Sequence, residues 1–123
     1  MEQRQFHRVH FFQRVQVKTN DRVYETHCLD VSMRGLLLVR PENVDWKLEQ
    51  GLHVTLTLAE DQVIEMDCSL VHIDEDFVGC VCDSLDLDSM IVLRRLLELN
   101  LVDPKAINRE LAELIRSNAL RAD

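Results

Sequence analysis

Two short stretches of this 123-residue chain carry side chains suited to holding a phosphorylated purine. Arg4-Gln5-Phe6-His7-Arg8 sets two guanidinium groups four residues apart, a separation at which a locally turned arm aims both at one ligand. Asp30-Val31-Ser32-Met33-Arg34-Gly35 holds a carboxylate and a hydroxyl on either side of Val31, so both project to one side of an extended segment. A guanidinium is a planar fork of donors that matches phosphate oxygens or the paired O6 and N7 acceptors of guanine, and its flat face stacks on a purine. An aspartate accepts from guanine N–H groups or holds an arginine in place, and a serine hydroxyl donates to a phosphate or base. Gly35 either lets backbone come close to a ligand or takes positive φ.

Each stretch also has an ordinary explanation. Arg4 and Arg8 fit a solvated pair on a frayed terminus, and Asp30 and Ser32 fit a capped turn whose φ Gly35 supplies. An RxxxR is expected by chance about once in a chain with eleven arginines, whereas DxSxxG is expected in roughly one such chain in ninety. Weight comes from the conjunction: an arginine pair just before the first expected strand, then DxSxxG 22 residues on.

Charge is divided along the chain. The net charge is −8, yet residues 1–40 carry seven basic groups against four acids, and residues 60–123 carry six against fifteen. Duplex nucleic acid calls for a broad basic surface, so no DNA or RNA partner is expected. A local arginine cluster still captures a small anion. The start of the chain is broken by charge throughout and no apolar run approaches membrane length, so neither a signal peptide nor membrane insertion is expected, and the location is read as cytoplasmic. The four cysteines form no spaced disulfide framework and read as small buried hydrophobes. Cys80 and Cys82 with His72 are the one combination to weigh for zinc, and their spacing is poor for it. His7, His10, His27 and His53 show no metal spacing, and no catalytic constellation appears, so no metal, cofactor or enzymatic activity is expected.

The elements that must position these groups follow from periodicity. Val15 and Val17, Val23 to Leu29, Leu36 to Val39, Val54 to Leu58, Ile64 to Leu70 and Phe77 to Cys82 read as six short strands. Their breaks carry turn residues: Thr19-Asn20-Asp21, Pro41-Glu42-Asn43, Glu49-Gln50-Gly51, Glu60-Asp61 and Asp74-Glu75-Asp76. Such spacing without intervening helices predicts a small antiparallel barrel or sandwich. Past residue 84 the period becomes helical. Asp88 is placed as a cap for a helix with Val92, Leu93, Leu96, Leu97 and Leu99 on its apolar side, and Asp103-Pro104 restarts a second helix, over 104–121, with Ile107, Leu111, Leu114 and Ile115 on one face.

Together these residues resemble the PilZ domain, a six-stranded antiparallel β-barrel that binds cyclic di-GMP. The stretches LDLDS, IVLRRLLELNL and RELAELI are similar to the C-terminal helices of its single-domain members. The resemblance implies a flexible arginine arm over residues 1–9, a barrel over 10–83 and a helical segment of the same domain over 84–123. It carries Arg4 and Arg8 over as the arginine pair, and Asp30, Ser32 and Gly35 as the second motif. Many members have a further arginine where this chain has Gln3. Gln3 and His72, the latter at a position where some relatives carry an aromatic, are secondary ligand contacts on this view. The implied function is a monomeric cyclic di-GMP receptor whose arm changes conformation on binding and signals to an unidentified downstream protein. Its alternative is an interaction module of the same fold that does not bind nucleotide.

Overall fold

The computed structural model describes residues 9–100, 109, 112–113, 115–116 and 120–121. Gln3, Arg4 and Arg8 lie outside the described residues. Six strands follow in order: β1 (Val9–Lys18), β2 (Val23–Ser32), β3 (Gly35–Val39), β4 (Gly51–Ala59), β5 (Gln62–Ile73) and β6 (Phe77–Asp86). All six are longer than their apolar alternation implies, because pairing recruits polar flanks such as Ser84 that have no strand signal of their own.

Period-two burial builds the core. Leu52, Val54 and Leu56 of β4 and Ile64, Met66, Cys68 and Leu70 of β5 point inward, each nearly or fully buried. Each such aliphatic side chain stabilises the fold by about 1.5–3 kcal/mol. Val44 and Trp46, from the long β3–β4 connection, complete the core, and Trp46 meets Tyr24 edge to face. Asn43 and Glu49 turn that connection with positive φ.

The sheet runs β3-β2-β1-β4-β5-β6, antiparallel throughout, and β3 pairs back onto β6 to close it. Closure is tight at Gly35. A Cβ there would overlap the Cys80 carbonyl oxygen and stand 3.1 Å from its carbonyl carbon and 3.2 Å from Val81 Cα. The backbone is pinned at the same place by a 2.6 Å hydrogen bond from Cys82 N–H to the Arg34 carbonyl.

Helix α1 (Leu87–Asn100) packs on β5 and β6 through Met90, Leu93 and Leu97. The Ser89 hydroxyl accepts the Glu65 backbone N–H at 2.8 Å, which fastens the first turn to β5. Asp88 lies inside that first turn rather than capping it, where its charge still suits the helix dipole. Leu99 is 78% exposed and is not part of the packed face. In the second helical stretch, Arg109, Ala112, Glu113, Ile115 and Arg116 are helical and exposed. Ile115, placed on an apolar face by its period, is therefore not buried there; Ile107, Leu111 and Leu114 lie outside the described residues. Leu120–Arg121 form a short seventh strand, β7, parallel to β6, where the helical period predicts helix over 104–121.

On the outer face of β4 and β5, His53 bridges two carboxylates. Its Nδ1 is 2.8 Å from Asp67 and its Nε2 is 2.9 Å from Glu65, and only the imidazolium donates from both nitrogens. Partial burial works against the charge, but the hydrogen bonds and charges of Asp67 and Glu65 outweigh it and raise the pKa above the ordinary value.

Two outcomes are expected from these contacts. Gly35→Ala should lower unfolding free energy by at least about 2 kcal/mol, since backbone rather than a flexible side chain must give way. Gly51→Ala, whose nearest atom would be 4.0 Å away, should stay within about 1 kcal/mol in the same urea titration. The stabilisation from His53 should be complete below its unfolded pKa of about 6.5 and fade as pH rises through the raised folded pKa. Urea midpoints of wild type and His53→Gln should therefore converge on the alkaline side; parallel curves would refute the bridge.

Candidate ligand-binding face

The hairpin of β2 and β3 carries the DxSxxG residues, and an irregularity at Leu29 decides which way they face. Cys28 pairs with Leu38, but Asp30 pairs with Leu37, so β2 carries one extra residue against β3. Leu36 and Leu38 are core residues, so Val31, opposite Leu36, points in, while Asp30 and Ser32, opposite Leu37 and Gly35, point out. The Cys28 thiol reaches the Asp30 carbonyl at 3.2 Å and satisfies backbone at the bulge. Burial, helped by the nearby Asp30 charge, pushes that thiol up to about 12, so it stays neutral.

Asp30 and Ser32 are thus side by side on the outer face, as their alternation predicted. They are nevertheless only 8% and 1% exposed. Ser32 has a local task, for its hydroxyl oxygen accepts the Arg34 N–H at 3.1 Å across the two-residue turn Met33-Arg34. That contact steadies a turn with no positive φ, unlike the usual two-residue hairpin. The Ser32 hydroxyl remains able to donate. Gly35 does not take positive φ either. The residue is required because β3 closes against the Cys80 backbone, a reason invisible in the motif itself.

His72 joins the same face through register. Asp30 pairs with Leu37, Leu37 with Gly79, and Gly79 with His72, a row about 14 Å long at the usual strand spacing. Gly79 leaves a low step in that row beside the His72 side chain. His72 is exposed and its Nε2 lies 3.1 Å from Asp74. Asp74 also accepts the backbone N–H groups of Phe77 at 2.8 Å and Asp76 at 3.0 Å. These bonds, the Phe77 one foremost, hold its carboxyl below the usual range.

Zinc on Cys80, Cys82 and His72 does not fit this geometry. Both thiols are buried inside the barrel, and His72 stands on the outside, opposite Gly79. Burial pushes Cys80 up to about 12. No group of three or more metal-ligating side chains occurs among the described residues, and no helix there is long and apolar enough to cross a membrane.

Two concavities of the barrel surface lie away from this face. A depression of about 550 Å³ beside His53 is lined by Lys18, Asn20, Asp67 and Asp83. A groove of about 320 Å³ between α1 and the β4–β5 turn is lined by Leu58, Ile91, Leu96 and Leu99. Neither touches the motif. Sequence reasoning missed the His53 bridge and a stacked pair of Phe12 and His27 on β1 and β2, since both depend on cross-strand register.

Among solved structures, the fold is similar to that of the Bacillus subtilis inhibitor of motility, MotI/DgrA, at 18% identity and a TM-score of 0.66. The match covers 80% of this chain and 53% of that one, so this chain spans about half of that protein's length. The PilZ domain pattern matches residues 2–99, which include both arginines of the arm and the whole barrel. The chain belongs to the PilZ domain family.

Proposed function

We propose that this protein is a cyclic di-GMP receptor, a binding module rather than an enzyme, whose N-terminal arm changes conformation when ligand bridges it to the outer face of β2 and β3. The observation that carries this reading is the placement of Asp30 and Ser32 together on that face, in a chain whose PilZ match includes Arg4 and Arg8. Both side chains are nearly covered, so a ligand that contacts them must rearrange whatever packs over them. Rearrangement is the signal. Ordering about nine residues of arm costs on the order of 10 kcal/mol. Charge-assisted hydrogen bonds contribute about 1.5–3 kcal/mol each, so about four to seven are needed before any net affinity appears. A dissociation constant near micromolar, about −8 kcal/mol, is the expected outcome. Output then passes to a partner protein through the altered surface, acting as a monomer in the cytoplasm.

The apolar groove of Leu58, Ile91, Leu96 and Leu99 favours one second reading, an interaction module without nucleotide. Calorimetry separates the two. Wild type should release heat with cyclic di-GMP at tens of micromolar, Arg8→Ala should abolish it, and Arg116→Ala, on the exposed C-terminal helical stretch, should bind as wild type. Silence from the wild type would leave the interaction module, and unchanged affinity in Arg8→Ala would move the site elsewhere.

A further inference from the structure

Phe12 and His27 form a parallel stack on the outside of β1 and β2, with ring centroids 4.5 Å apart and planes within 6°. Phe12 is 69% exposed. One face of its ring lies on the imidazole, so the opposite face is open to solvent. The pair sits at a second slip, across from the one that turns Asp30 outward: His10 pairs with Asp30 and Gln13 with Cys28, leaving Phe11 and Phe12 of β1 against the single residue Leu29. Bulges re-aim side chains in this way and are common beside binding sites. Along β2, His27 and Asp30 are three residues apart, about 10 Å on one outer face.

We propose that the open face of Phe12, backed by His27, is a stacking subsite for a purine base of the bound cyclic dinucleotide. The idea rests on the receptor reading above and deepens it. A dinucleotide has two bases, and the Asp30 end of the face offers polar groups to one of them. The second base meets a flat apolar ring on the β1 side. Stacking on an exposed aromatic is the ordinary way that proteins hold an unpaired base. His27 supports the ring from behind, so less rotamer freedom is lost on binding. The surroundings favour a base over an apolar protein surface. Arg14 stands opposite His27 in the register and 3.7 Å from Glu25, so a charged pair flanks the stack. An anchor for a protein would be expected within a wider apolar patch.

Phe12→Leu and Phe12→Trp test the subsite. By calorimetry, Phe12→Leu should weaken cyclic di-GMP binding roughly tenfold while its thermal midpoint stays that of wild type. Phe12→Trp should bind within a fewfold of wild type, and ligand should quench its added indole emission after the Trp46 signal of wild type is subtracted. Wild-type affinity in Phe12→Leu, or an indole blind to ligand, would overturn the subsite and leave the receptor intact. Wild type that fails to bind would remove the receptor and the subsite together.

Discussion

Closure of the barrel between β3 and β6 is the constraint on which the rest of this structure depends. β3 has only five residues, and every one of them pairs with β6. At its first residue the two backbones come so near that a methyl group has no place. Closed barrels leave no edge strands among their six members, which removes the open ladder that would otherwise recruit another chain. The last residue of DxSxxG is therefore an architectural requirement that stands beside the outward-facing Asp30 and Ser32. Because Gly35 fixes where β3 begins, it also fixes the Met33-Arg34 turn and the position of Ser32 across from it.

The irregularity at Leu29 does for Asp30 what Gly35 does for closure. In an unbroken strand, Cys28 and Asp30 would share a face, and Cys28 is fully buried in the core. The carboxylate would then enter an apolar interior at a cost far above what a turn or a ladder bond returns. One extra residue in β2 sends Asp30 outward and keeps Val31 inward. Similar slips at Val71 in β5 and Asp83 in β6 let Leu70 and Leu85 remain inside while His72 and Ser84 stay out. Face assignment in this barrel is thus set at its bulges as much as by alternation.

That explains how far the sequence was legible. Local signals reached the strands, because Val54-Thr55-Leu56 and Ile64-Glu65-Met66 alternate plainly, and reached the turns at all five places where Gly, Pro, Asn and Asp cluster. They also placed Asp30 and Ser32 on one side, since two residues of separation survive any slip before them. Register is a long-range property with no local trace. No pattern within Gln50 to Leu58 announces that His53 will face Asp67, and nothing near Phe12 announces His27. The exposure of Leu99 escaped for a related reason: helical period says which residues share a face, not where the packed surface ends. Residues 101–108 follow immediately, and Asp103-Pro104 lies outside the described residues.

Charge distinguishes the depression beside His53 from the face that bears Asp30 and Ser32. The depression beside His53 is larger than the α1 groove, but its walls include Asp67 and Asp83, with Glu65 close by on the bridged histidine. His53 neutralises part of that charge, and Ser69 bonds Asp83 without removing any. Two phosphates entering there would meet fixed anions at short range, a repulsion of about 1 kcal/mol per pair at 4 Å even in water and more near protein. The face formed by β1, β2 and β3 belongs to the part of the chain with net positive charge. On the proposed receptor reading, a dinucleotide approaching the barrel is repelled from the depression beside His53. On that reading the uneven distribution of arginine along the chain, rather than the volume of a depression, favours the side that bears Asp30 and Ser32.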